Sequence, residues 1–205
     1  LHWWLPAAMV APTPVSALLH AVAVVKAGVF SILMVICYIF GPEFMNTSGS
    51  GKFLIWASTI TLFLSSVIAI RKNDIKARLA YSTVSQLSYI ILGGAIATNY
   101  SLIASVSNIM MHGVGKITLF FCAGAIYVST KITKITDLNG IGHKMPLTFM
   151  AFSIGALSII GIPPLGGSWS KFYLLLGAAQ SELTIIIIIL AISTLLNTYY
   201  LLDPV

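Results

Sequence analysis

From Leu183 to Leu202 the chain runs without a single charged side chain, and Ile185 to Ile189 form an unbroken aliphatic core to this stretch. A bilayer core about 30 Å thick calls for about 20 such residues in one helix. Several other segments approach this length, and their hydrophobic residues do not alternate as they would in the strands of a membrane barrel. Hydrocarbon offers no partners to backbone N–H and C=O groups, so these runs are expected to be helices. Composition agrees: 58% of the 205 residues are hydrophobic and 8% charged, whereas a soluble domain has roughly 45–50% and about 25%. The expected fold is therefore all-α, a polytopic transmembrane helix bundle in the lipid bilayer.

Seven segments are predicted to be helical, over residues 14–40, 53–72, 79–98, 101–128, 146–162, 167–180 and 183–202. Between them lie Gly41-Pro42, the Ser- and Gly-rich run Asn46 to Gly51, the charged run Arg71 to Arg78, and Asn139-Gly140. The prolines of Gly161-Ile162-Pro163-Pro164 are expected to interrupt a helix within or near the membrane. Threading the loops alternately places Arg71, Lys72, Lys76, Arg78, Lys131, Lys134 and Lys144 on one side, with Lys52 on the other. By the excess of positive charge in cytoplasmic loops, the loops 71–78 and 129–145 are expected to face the cytoplasm.

The net charge of +6 is thus carried mainly by short loops, without the basic groove and interleaved aromatics of a nucleic-acid binder. Cys37 and Cys122 lie far apart in apolar stretches, which favours small buried hydrophobes over a disulfide or a CxxC site. Gly51-Lys52 is followed by Phe53 and lacks the frame of a phosphate loop, and Ser168 to Lys171 has no partner motifs of a penicillin-binding enzyme. No cofactor, metal or catalytic residue is expected, and no hydrolytic acid pair is present. The abrupt start at Leu1-His2-Trp3-Trp4, without Met or a signal sequence, reads as a piece of a longer protein.

Three lysines remain inside the apolar segments, Lys26, Lys116 and Lys171, and no acid accompanies them. A lysine at mid-bilayer costs about 2.5–3.5 kcal/mol on insertion scales, so each is expected to face protein, water or a function. Reaching to the membrane surface is the plain alternative, more plausible for Lys171 than for Lys116. Asn108, His112 and Lys116 recur every fourth residue and share one helix face. Burial disfavours the charged ammonium, so Lys116 is expected to exchange protons, helped by His112. His20 and Lys26 fall on different faces of the opening helix, which Pro12 and Pro14 precede. Ser16, Ser31, Ser85, Gln86, Ser88, Tyr89 and Thr118 are candidates to hold hydrogen bonds or water between the charged groups, although helix packing by small polar residues explains them equally well.

Four blocks in order carry a family resemblance. Leu1 to Met9 with Pro12 to His20, Asp74 to Tyr89, His112 to Lys116 with Leu119-Phe120-Phe121, and Gly161 to Pro164 with Ser170-Lys171 resemble the proton-translocating subunits of complex I and Mrp-type antiporters. The run Val24 to Phe30 is most similar to the D subunit of Mrp-type Na+/H+ antiporters, where a lysine stands in a broken helix. The resemblance implies a module of two inverted five-helix repeats, each with an interrupted helix. On that pattern residues 1–73 are the end of the first repeat and residues 74–202 the second. It implies that Lys26, Lys116 and Lys171 belong to a central chain of proton-carrying groups, with Lys76 and His112 along it and His20 nearby. It further implies a multi-pass subunit of the inner or plasma membrane, assembled with other hydrophobic subunits and moving protons, with Na+ as a candidate counter-ion.

Asn108 stands where many relatives have a His, and Gly113 and Gly115 stand where they usually have bulkier residues, which is expected to loosen the helix. The glutamate that pairs with the first lysine in the family would lie upstream of Leu1. A truncated or structural subunit without transport of its own is the alternative reading. The parent assembly, whether antiporter, hydrogenase or NADH:quinone-type oxidoreductase, is left open, and the chain by itself is not read as an enzyme.

Overall fold

The computed structural model describes residues 4–9 and 11–204. Leu1 to Trp3 of the first resemblance block and the side chain of His20 lie outside the described residues. A short helix α1 (Trp4–Ala8) precedes a continuous helix over residues 13–40. The latter begins as α2 (Thr13–Val15), widens to a π-helix over Ser16–Ala23, tightens to α3 (Val24–Met34) and widens again over Val35–Phe40. Then come α4 (Pro42–Thr47), α5 (Ser50–Arg71), α6 (Ile75–Ile96) and α7 (Asn99–Thr130). A 3-10 turn (Ile135–Leu138) and α8 (Ile141–Lys144) lead to α9 (Pro146–Ile160), α10 (Gly166–Gln180) and α11 (Thr184–Leu202). Pro12 and Pro14 cap and open the first long helix, as expected, but that helix is irregular through π turns instead of being broken.

Helices α5, α6, α7 and α11 are long and apolar enough to cross a membrane; Val24–Phe40 and α9 are shorter apolar helices. Their ends are set by local chemistry. Asp74 caps α6 by accepting from the Ala77 amide at 2.8 Å, and Thr98 and Ser101 form a reciprocal capping box at the start of α7. The chain between α6 and α7 is a tight turn with Ala97 left-handed, so the two helices run antiparallel and pack side by side. Lys76 and Arg78, expected in a loop, lie instead in the first turn of α6 because the Asp74 cap starts that helix earlier than hydropathy does.

The seven predicted segments are all helical over most of their length, but two of them lie end to end along one path. Gly161, with φ +89, ends α9, and the turn through Pro163 and Pro164 leads directly into α10. Both halves follow α7 in antiparallel register. Gly155 packs on Leu119 and Thr118, Gly115 on Ile159, Gly166 on Met111, and Gly177 on Ser101, while the Ser170 hydroxyl reaches Asn108 at 3.4 Å. Thus α9 and α10 are two halves of one interrupted helical path along α7, and α10 does not turn back. The first long helix follows α7 in the same antiparallel sense, from Thr13 beside Gly124 to Lys26 beside Gly113.

At one end the loops 71–78 and 129–145 meet. Asp74 and Lys134 form an isolated bridge, the Ile75 amide donates to Thr133 O at 3.0 Å, and the Ile135 amide to Asn73 O at 2.8 Å. The end of α11 is fastened there too. Arg78, buried within the bundle, donates to Asp203 Oδ2 at 2.6 Å, to Tyr200 O at 3.2 Å and to Lys72 O at 2.9 Å. The basic loops therefore share one face of the bundle, as their charge predicts.

Candidate functional site

The three lysines of the apolar segments gather around α7, and each ammonium meets a neighbouring element of the bundle. Lys116 has no solvent or lipid exposure (0%) and turns toward α6, donating to Leu79 O at 3.0 Å and Ser82 Oγ at 2.8 Å. Lys26, 7% exposed, comes from the first long helix and donates to Ile109 O of α7. Lys171, half-buried, donates to Ile160 O at 2.8 Å, with its ammonium 5.3 Å from the centre of the Tyr89 ring. That carbonyl ends α9 and is one of those a helix C-terminus leaves unpaired. The break at Gly161 to Leu165 thus frees acceptors and the negative end of a helix dipole where a cation needs them, and the aromatic face adds to this.

His112 lies at the centre. It is 2% exposed, and both ring nitrogens lack a hydrogen-bond partner among the described residues. It lies within electrostatic reach of Lys26, Lys116 and Lys171 together, and Lys116 also feels Lys26. The expected stripe Asn108, His112, Lys116 is present and buried along its length. The expected help from His112 to Lys116 is not a direct hydrogen bond: two of the three ammonium donors go to α6, and neither ring nitrogen of His112 has a partner among the described residues. Asn108 meets Ser170, which ties the stripe to the second half of the interrupted helix.

Gly113 and Gly115 do different work from loosening a helix. They lie about 200° apart around α7, on opposite sides. A Cβ at Gly113 would stand 2.7 Å from the Lys26 ammonium, and one at Gly115 would stand 2.8 Å from Ile159. One glycine admits the lysine to the α7 backbone and the other admits the interrupted helix.

Lys76 is half-buried at the basic end, where it reaches toward Ala11 O at 3.4 Å and lies 5.8 Å from the Tyr127 ring centre. It lines a cavity of about 890 Å³ with Pro12, Pro14, Tyr127 and Thr133. A second cavity, of about 810 Å³, opens beside the break and is lined by Tyr89, Pro163, Pro164, Trp169, Lys171 and Thr194. His20 belongs to the π-helical stretch that leads up to α3.

Of the predicted supporting residues, Ser31, Ser88 and Thr118 bond only to carbonyls of their own helix turn, and Ser16 bonds Ala11 O. These are packing and capping contacts. Ser85 bonds Ser66, which in turn bonds Ser193, and neither partner was expected from sequence. Ser82, the side-chain partner of Lys116, was missed as well. Polar residues recurring at three- and four-residue steps, Ser82, Ser85 and Tyr89 on α6 and Ser193 and Asn197 on α11, were the available signal.

A family model described as NADH:quinone oxidoreductase/Mrp antiporter, TM matches residues 1–197. The chain is 35% identical over 204 residues to NADH-quinone oxidoreductase subunit N of Desulforudis audaxviator, covering 98% of this chain and 40% of that protein. It is 40% identical over 181 residues to NAD(P)H-quinone oxidoreductase chain 5 of Synechocystis sp., covering 83% of this chain and 25% of that protein. Among solved structures, a chain of the Mrp complex from Dietzia sp. superposes with a TM-score of 0.82 at 30% identity, over 97% of this chain and 22% of that one. A chain of the membrane-bound sulfane sulfur reductase, an archaeal respiratory membrane complex, superposes with a TM-score of 0.86 at 26% identity, over 96% of this chain and 40% of that one. This chain therefore spans well under half the length of the curated relatives it matches here.

Proposed function

Because this multi-pass membrane chain belongs to the transmembrane family of NADH:quinone oxidoreductase and Mrp antiporter subunits, we propose that it relays protons across the bilayer within a multisubunit complex. The reading is carried by one observation: Lys26 and Lys116 are buried and Lys171 half-buried around α7, each hydrogen-bonded to a backbone carbonyl of a neighbouring element. A lysine that only stabilised the fold would be expected to meet an acid, whereas a carbonyl accepts from an ammonium without holding it as an ion pair.

In this reading Lys26, His112 and Lys116 share protons in turn. Like charges in a core of low dielectric repel strongly, so a proton arriving at one lysine drives a proton from the next. Neutral His112, between them, accepts on one ring nitrogen and donates from the other. Lys171 and the cavity beside the break form one end of the path, and Lys76 with its cavity at the basic end forms the other. His20 is proposed as an accessory to Lys26.

The finer assignments belong to the same proposal. Residues 1–73 are read as the end of a first repeat and residues 74–202 as a second. The basic end is read as cytoplasmic, in an inner or plasma membrane, and Na+ as the ion exchanged if the parent complex is an antiporter. Kinship to the D subunit of Mrp-type antiporters rests on the run Val24 to Phe30 alone. The partners are other hydrophobic subunits of the parent complex.

Lys116→Ala in the complete complex, reconstituted in vesicles, tests the relay. Transport is expected to vanish while assembly survives. Unchanged proton flux from an assembled complex would refute the relay and favour a structural subunit.

A further inference from the structure

Helices α5, α6 and α11 meet along a seam that is polar and uncharged through its middle, beyond the Arg78–Asp203 ion pair at its basic end. Ser66 of α5 bonds Ser85 of α6 at 2.9 Å and Ser193 of α11 at 3.1 Å, and all three are fully buried. One turn along α11, Asn197 is fully buried and accepts from the Tyr200 hydroxyl. On α6, Gln86 is 1% exposed, though as the next residue after Ser85 it faces about 100° away around the helix. The amide nitrogens of Gln86 and Asn197 have no hydrogen-bond partner among the described residues. Leaving such donors dry is costly, and a cluster of hydroxyls and amides with free capacity is the setting in which buried water is held.

The seam is connected at both ends. Ser82, which receives the Lys116 ammonium at 2.8 Å, also interacts with the Tyr200 side chain. Farther along α6, the Tyr89 hydroxyl lies 3.4 Å from Thr194 Oγ1 and interacts with Ser193, and its ring carries the Lys171 ammonium. From Ser82 to Tyr89 is seven residues, about 10 Å along the helix, with Ser85 between them. The step from Ser82 to Ser85 is one helical turn, a span that a single water bridges.

We propose that this seam binds a file of water and gives Lys116 a second proton outlet, through Ser82, Ser85, Ser66 and Ser193 to Tyr89 and Lys171, that does not pass through His112. The proton leaves the Lys116 ammonium for the nearest hydroxyl or water, each member passes on a different proton, and the neutral amine of Lys171 takes up the last one. Water fits better than a metal cation: it accepts from the unpartnered Asn197 amide N–H, which a cation cannot do, and the Ser hydroxyls have no carboxylate beside them to balance a metal's charge. The proton traffic rests on the relay proposed above, whereas the hydration of the seam stands without it.

The test uses pairs of equal shape. In the complete complex in vesicles, Ser66→Thr keeps the hydroxyl and Ser66→Val replaces it with a methyl group. Proton flux is expected to be about twofold lower with Val than with Thr, as when one of two comparable parallel routes is lost, equivalent to about 0.4 kcal/mol, with equal amounts assembled. Ser193→Thr and Ser193→Val are expected to repeat the split. Equal flux within both pairs, with Lys116→Ala inactive, would overturn the branch and leave the relay standing; full flux in Lys116→Ala would overturn the relay itself. Should the Ser66 and Ser193 variants fail to assemble, an electron-microscopy map of the unaltered complex that resolves water decides. Density within hydrogen-bond distance of the Asn197 amide nitrogen is expected, and a dry seam would overturn the proposal.

Discussion

The most hydrophobic long helix of this protein is the least buried, and the most buried is the least hydrophobic. Helix α11 has a mean hydropathy of 2.2 with 33% of its window buried, whereas α6 has 1.3 with 89% buried. A soluble protein sorts its residues the other way. Here the outer face of α11 meets a solvent as apolar as itself, so its Ile and Leu side chains need no protein partner. The inside collects what lipid cannot accommodate: Arg78, Ser82, Ser85 and Gln86 on α6, and His112 and Lys116 on α7. Helices in lipid associate through close packing and hydrogen bonds instead of expulsion from water, and α6 and α7 supply both.

The largest expected effect breaks this contrast from outside. Ile188 of α11 is 54% exposed, and Ile188→Lys is expected to cost about 2.5–3.5 kcal/mol, read as a loss of membrane-inserted protein. Normal insertion would mean that this face is covered by protein or water. A smaller effect is expected inside. Gly115→Ala places a Cβ 2.8 Å from the Ile159 side chain, and overpacking of this kind costs about 1–3 kcal/mol. The thermal transition of the purified complex should fall, and an unchanged transition would show that α7 and α9 have room between them. The smallest change in stability is expected at Gly113. There the added Cβ meets only the mobile end of Lys26, so Gly113→Ala is expected to stay within about 0.5 kcal/mol of the original protein. It should nevertheless lower transport, because the ammonium is displaced from Ile109 O. Unaltered transport would remove Lys26 from the path.

These contrasts also explain what the sequence made legible. Apolar length located the helices, and the basic loops 71–78 and 129–145 were correctly grouped at one end, because lipid thickness and charge act on residues one at a time. The lysines stood out for the same reason. Joining segments required more: residues 146–162 and 167–180 read as two, and only their shared register along α7 makes them one path. The partners of the lysines were also hidden. Ile109 O, Leu79 O and Ile160 O are backbone atoms, which no side-chain pattern announces, and the roles of Gly113 and Gly115 depend on which neighbours arrive on either side of α7. The π turns around His20 leave no mark in hydropathy. Ser66, Ser85 and Ser193 look like ordinary small packing residues until three helices bring them together.

The central claim is that the cationic groups are held inside protein and away from lipid. An electron-microscopy structure of the complete complex in a lipid nanodisc tests it most directly. The account predicts Lys116 against Ser82 and the Leu79 carbonyl, with Lys26 and Lys171 on the carbonyls of Ile109 and Ile160 and no acyl-chain density touching any of the three. Ammonium groups directed into the acyl chains, or drawn apart to the headgroups, would contradict it.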